Sequence, residues 1–263
     1  MIVVFIFSFL VCFGASIIGA ICGIGGGVII KPALDAFGVM DVATISFLSG
    51  CTVLSMTTYN VVKSKLAGDS KIDTATGMPM AIGAAVGGVF GKQLFQIIRD
   101  GAANPQFVGA VQAICLILVT LGTLVYTLYK HRIQTKQVES KMVALVIGLL
   151  LGVMSSFLGI GGGPINLVVL YYFFSMESKT AAENSLYVIF FSQTASLIAS
   201  IVTKTVPAFE IGMLVLMVCG GIAGGMVGRK INKKIDNATV DKLFIGLMVV
   251  MIVVNIFNVF KFI

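Results

Sequence analysis

Charge is scarce in this chain of 263 residues: 11% are Asp, Glu, Lys or Arg, against about 25% in an ordinary soluble domain. That scarcity excludes a soluble globular fold. Histidine is nearly absent, with His131 alone in a polar linker, and the 11 acidic residues are scattered. Neither a cluster of metal ligands nor a pair of carboxylates for acid–base chemistry can be assembled, so no enzyme, metal or cofactor is expected. The five cysteines, at 12, 22, 51, 115 and 219, lie in apolar stretches without metal-ligand spacing and read as small buried apolar residues. Alternating apolar and polar segments of about 10 residues, the mark of a membrane barrel, are also missing. No positive region precedes the first apolar run, which argues against a secretory signal. An Arg- and Ser-rich transit pattern is missing too, which points to a bacterial-type plasma membrane.

What is present is apolar length. Hydrophobic residues make up 58% and the mean hydropathy is +1.06. Stretches at 1–22, 42–62, 74–91, 106–129, 141–158, 180–202, 208–228 and 240–262 are each long enough to cross a hydrocarbon core of about 30 Å. Shorter apolar pieces occupy 28–38 and 164–175. The expectation is an all-α polytopic membrane protein with the lipid bilayer as its main partner. The formal charge of +7 sits in short loops, as retention of Lys and Arg on the cytoplasmic side requires, and not in a nucleic-acid-binding patch.

The chain repeats itself. GIGGG at 23 recurs at 159, GGVFGK at 87–92 answers GGMVGR at 224–229, and FVG at 107–109 answers FIG at 244–246, at spacings of 136 or 137. A weaker match sets ATISF at 43–47 against AENSL at 182–186, with a small gap. This predicts two homologous repeats of about four helical segments, 1–130 and 141–263, joined by a polar linker at 131–140. If each glycine-broken first segment enters the membrane and returns, eleven basic residues share one side: Lys63, Lys65, Lys71, Lys130, Arg132, Lys136, Lys141, Arg229, Lys230, Lys233 and Lys234. The positive-inside rule prefers that scheme to eight full crossings. It leaves three crossings per half and makes the repeats inverted, a transporter design with its site at the midplane. Whether residues 1–22 cross fully or form half of a re-entrant hairpin stays open.

Each glycine in a helix interior costs about 0.5–1 kcal/mol relative to Ala, so the GIGGG clusters predict breaks in the first segment of each repeat. A half-helix that begins after such a break aims its amides, with their partial positive charge, into the gap. Two of them converging favour an anion. Gly23, Gly25, Gly26 and Gly27 with Gly159, Gly161, Gly162 and Gly163 are the candidate frame. The other Gly-rich faces, at 83–91 and 221–228, read as close helix packing, within the chain or in a dimer. Lys31, one turn into the second piece, is an intramembrane cation with a functional reading, the alternative being snorkelling to the interface. Asn166 stands nearby in the second half. Glu183 is a candidate for coupling transport to protons, or else an interfacial carboxylate. Ser46 and Ser185 lead the polar faces of the matching segments at 42–62 and 180–202, with Gln193 two turns further on. Such groups can donate to oxyanions or hold helices together.

On GIGGGVIIKPAL at 23–34, its echo GIGGGPINLVVL at 159–170, the A-x-x-S-type segments at 43–46 and 182–185 and the two Gly-rich third helices, the chain resembles the sulfite exporter TauE/SafE (TSUP) family of membrane transporters. The resemblance spans essentially the whole chain. It implies transport of small sulfur-containing anions or organic acids, such as sulfite, thiosulfate, sulfoacetate or a carboxylate, with the paired glycines framing the anion site. The proline after the first motif is at Pro32, whereas the second copy has Pro164 directly after its glycines, which departs from symmetry. The expected function is a secondary transporter of a small anion working by alternating access; the other readings are an anion channel on the same broken helices and a carboxylate transporter.

Overall fold

The computed structural model describes residues 2–101, 105–160 and 162–262; Gly161 and the side chain of His131 lie outside that description. Every regular element among the described residues is helical. Ten α-helices follow in order: α1 Ile2–Cys22, α2 Gly27–Phe37, α3 Val42–Leu66, α4 Thr74–Gly101, α5 Pro105–Tyr129, α6 Lys141–Leu158, α7 Pro164–Phe174, α8 Ser178–Val202, α9 Ile211–Lys234 and α10 Asn237–Phe262. All but α2 and α7 are long and apolar enough to cross a membrane. Three of them run past the end expected from sequence. α3 continues four residues past 62, α4 ten past 91 and α9 six past 228, so Lys63, Lys65, Lys92, Arg229, Lys230, Lys233 and Lys234 are helical residues and not loop residues.

The helix ends follow from local chemistry. α1 stops at Cys22, and Gly23, Gly25 and Gly26 take φ of 75°, 83° and 71°, a left-handed conformation that costs other L-residues about 1–2 kcal/mol each. α6 stops the same way, with Gly159 at φ 66° donating its N–H to Ser155 and Ser156 carbonyls. Pro164 opens α7 at its first turn, where the missing N–H is harmless. Pro32, by contrast, lies inside α2 and does not end it. Asp41 caps α3, accepting from the amides of Ala43 and Thr44 at 3.0 Å.

Side-chain contacts fix the directions. α1, about 31 Å long at 1.5 Å per residue, turns at the glycines, and α2 runs back until Phe37 packs on Phe7 (ring centroids 4.4 Å). The first hairpin therefore returns to the side on which α1 began, although α1 alone has the length of a crossing. α6 and α7 form the other hairpin, with the end of α7 held against the 133–138 linker through Lys136 N–H to Tyr172 O at 2.7 Å. α3 and α8 run antiparallel: Gly50 abuts Gln193 near one end, and Ser64 meets Glu183 near the other.

The tightest packing is between glycine faces and backbone. Gly83, Gly87 and Gly91 of α4 rest on the carbonyls of Leu145, Leu149 and Val153 of α6, leaving no room for a Cβ. Gly224 and Gly228 of α9 rest on the carbonyls of Phe13 and Ile17 of α1 in the same manner, and Gly220 packs more loosely on Phe9. These glycine faces are thus buried within the chain, where close approach substitutes for a hydrophobic driving force that lipid cannot supply. Outward residues such as Leu118 and Val253 are apolar and exposed.

The basic residues gather at one end. There Arg229 pairs with Asp69 (2.6 Å), Lys130 pairs with Asp241 (2.6 Å), and Lys179 reaches the Ile235 carbonyl. At the opposite end Lys261 caps the last carbonyls of α2, at Asp35 and Ala36.

Candidate functional site

The two glycine turns meet inside the bundle. Gly27 stands against the carbonyl oxygen of Ile160 in the second turn. Gly23 sits on the backbone of Ala182 in α8, while Gly159 sits on Ser46 in α3; a Cβ on Gly159 would lie 2.8 Å from Ser46 Oγ and 3.4 Å from Lys31 Cε. The two contacts share a spacing of 136 residues, which pairs Ser46 with Ala182 and Ser49 with Ser185. At that spacing 43–47 lies against 179–183, whereas the gapped match sets it against 182–186.

Beside these turns lies a narrow cavity of about 30 Å³ between α3, α4, α5, α6 and α8. Its wall is polar and incompletely satisfied. Ser46, Ser155 and Ser156 are buried with hydroxyls that have no partner. Gln112 gives its amide N–H to the Phe157 carbonyl at 2.7 Å and keeps an unpartnered Oε1. Gln193 lines the same space. Buried polar atoms without partners are uncommon and point to water or a ligand. Lys92 enters from α4, half-buried, its ammonium 5.6 Å from the centroid of the Phe95 ring. No carboxylate among the described residues pairs with it. An unpaired ammonium beside serine hydroxyls that can donate is suited to a small oxyanion.

The sequence-derived residues are distributed around this cavity unevenly. Ser46 and Gly159 line it. Gly162 (φ 124°), Gly163 and Asn166 line a smaller neighbouring space that shares Ser155, and Asn166 Oδ1 is buried and unpartnered there. Gly23, Gly25, Gly26 and Gly27 shape the first turn without lining the cavity. Lys31 is fully buried, and its Nζ is held by Asp35 Oδ2 at 2.6 Å. Ser185 is buried with an unpartnered hydroxyl and is not a lining residue of the cavity; at a spacing of 136 it lies against Ser49. Glu183 stands apart, at the basic end, accepting from the Ser64 hydroxyl and from the Lys71 N–H (3.1 Å).

The residues that sequence reasoning missed are Lys92, Gln112, Ser155, Ser156 and Asp35. Two signals were available. Asp35 is four residues after Lys31, the ion-pair spacing of a helix. Gly88, Lys92 and Phe95 follow the i, i+4, i+7 pattern of one helical face, and Gly88 packs on Ser192 and Ser156 at the cavity wall.

A family model, "Sulfite exporter TauE/SafE", matches residues 8–254, nearly the whole of this bundle. The chain belongs to the sulfite exporter TauE/SafE family. Among curated proteins it is similar to "Probable membrane transporter protein YunE" of Bacillus subtilis (strain 168), 22% identical over 215 residues, covering 72% of this chain and 75% of that protein. No solved structure matches it. Membership makes the chain a multi-pass membrane transporter of a small molecule, with its long apolar helices in a bilayer.

Proposed function

We propose that this transporter carries a small anion of the sulfur-oxyanion or sulfonate type, by alternating access around the cavity at the two glycine turns. The observation that carries this reading is Lys92: a half-buried ammonium with no counter-ion among the described residues, sharing its cavity with the unpartnered hydroxyls of Ser46, Ser155 and Ser156. An oxyanion supplies the missing charge and accepts from several of those donors at once. Lys31 is the weaker candidate, because Asp35 already neutralises it.

The proposal includes inverted repeats, 1–130 and 141–263. The parallel packing of α4 on α6 and of α9 on α1, glycine to carbonyl at a constant spacing, and the antiparallel course of α3 and α8 support it. The basic end then faces the cytoplasm. Glu183 lines the basic-end pocket, which supports keeping it as the candidate for coupling to protons from that side.

The test is ligand-dependent thermal stabilisation of the purified protein by sulfite, thiosulfate and sulfoacetate, with acetate as the carboxylate control, in wild type, Lys92→Gln and Lys31→Met. Stabilisation by the sulfur anions that disappears in Lys92→Gln and survives in Lys31→Met is expected. Loss in Lys31→Met alone overturns the assignment of Lys92, and stabilisation by acetate alone overturns the substrate class.

A further inference from the structure

The basic end holds a second cavity, of about 350 Å³, whose wall repeats that of the first. Arg229 takes the place of Lys92 and Asn232 that of Phe95, each 137 residues on. Ala182 stands for Ser46, and Asn60 for Ser196, at a spacing of 136. The correspondence extends to the polar pairs near each cavity. At the basic end Asp69, in the α3–α4 connection, pairs with Arg229 at 2.6 Å and also with Lys233. At the other end the counterparts of Asp69 and Lys233 are Thr205 and Gln96, and these share a neutral hydrogen bond. Lys92 is therefore free to face its cavity, whereas Arg229, only 14% exposed at its side chain, is occupied by a carboxylate.

We propose that Arg229 and Lys233 form a second site for the transported anion on the basic side, and that Asp69 is a tethered stand-in for that anion. The Asp69 carboxylate presents a charged oxygen to Arg229 as an oxyanion would. It satisfies the guanidinium while the anion is absent and gives way when the anion arrives. The neutral Gln96–Thr205 contact leaves the opposite side without such a competitor. The substrate class is the one proposed for the Lys92 cavity, and the inference rests on that transport reading.

Uptake of radiolabelled sulfite and thiosulfate is measured in right-side-out and inside-out membrane vesicles carrying wild type, Asp69→Asn, Arg229→Gln, Arg229→Lys or Lys92→Gln. Removing the competing carboxylate in Asp69→Asn is expected to lower half-saturation on the basic side about tenfold, within the usual range of coupling between competing ligands, and to leave the other side unchanged. Arg229→Gln raises it on the basic side alone, and Arg229→Lys, which keeps the charge, restores part of the loss and controls for a folding defect. Equal effects on both sides, or no effect of Asp69→Asn and Arg229→Gln while Lys92→Gln abolishes uptake, overturn the second site and leave the transporter reading standing. A wild type that moves neither anion refutes the transport reading, and the second site falls with it.

Discussion

Replacing Asp35 by Asn separates the roles of charge and shape in α2. Lys31 and Asp35 are 1% and 5% exposed, their charged atoms 2.6 Å apart, and Asp35 Oδ1 has no partner. Asparagine keeps the volume and one acceptor but leaves the buried ammonium uncompensated. Removing one member of a buried pair costs about 3–5 kcal/mol, and at about 2–4 °C per kcal/mol for a chain of this size the unfolding midpoint should fall by roughly 10 °C. Removing both charges, in Lys31→Met/Asp35→Leu, should bring the protein back to within about 1 kcal/mol of wild type, because an apolar pair of similar volume avoids the desolvation of two ions. The assay is a thermal ramp with a thiol-reactive fluorophore, for which Cys12 and Cys22, both fully buried, are built-in reporters. An Asp35→Asn protein as stable as wild type would refute this reasoning, as would a double variant no better than the single.

The glycine faces give a matched pair of tests. Gly87→Ala and Gly224→Ala both push a methyl onto backbone carbonyls, of Leu149 and Phe13, and each should cost about 1–3 kcal/mol by overpacking. Gly122→Ala and Gly246→Ala meet nothing within 4 Å and should be neutral or stabilising in the same thermal ramp. At α3, partial burial pushes the Asp41 carboxyl up, but hydrogen bonds from the Thr44 hydroxyl and the amides of Thr44 and Ala43 outweigh it and hold the group below its ordinary value. The cap's contribution is then complete above the unfolded value, about 3.9, and is lost as pH falls through the lower folded value. Asp41→Ala should cost about 1 kcal/mol at neutral pH, and its stability curve should converge with that of wild type only in that acid window. Phe95 lines both the Lys92 cavity and an outer vestibule of about 760 Å³, so Phe95→Ala should speed labelling of Cys51, which also lines the cavity, by a small charged thiol reagent. An unchanged rate would remove Phe95 as the barrier.

The residues show which parts of this protein were local. Apolar length and sparse charge determined the membrane class and the eight long helices, because lipid demands that each segment satisfy its own backbone. The glycine clusters determined where two helices stop, at Cys22 and Leu158, because a residue without a Cβ adopts the left-handed turn at no steric cost. The family was legible in those same motifs. Which cation faces the cavity was decided only by tertiary structure. Lys31 looked exceptional as the one charge beside a glycine cluster, yet a carboxylate one turn away removes its availability. Lys92 looked like a loop residue until α4 was seen to continue past it, packed so closely on α6 that its cavity face meets Ser155 and Ser156. The reversal of α1 into α2 was likewise beyond a reading by length, since α1 has the residues to cross and the turn back depends on contacts of Gly23 with Ala182 of α8 and of Gly27 with the Ile160 carbonyl, both supplied by the other half of the chain.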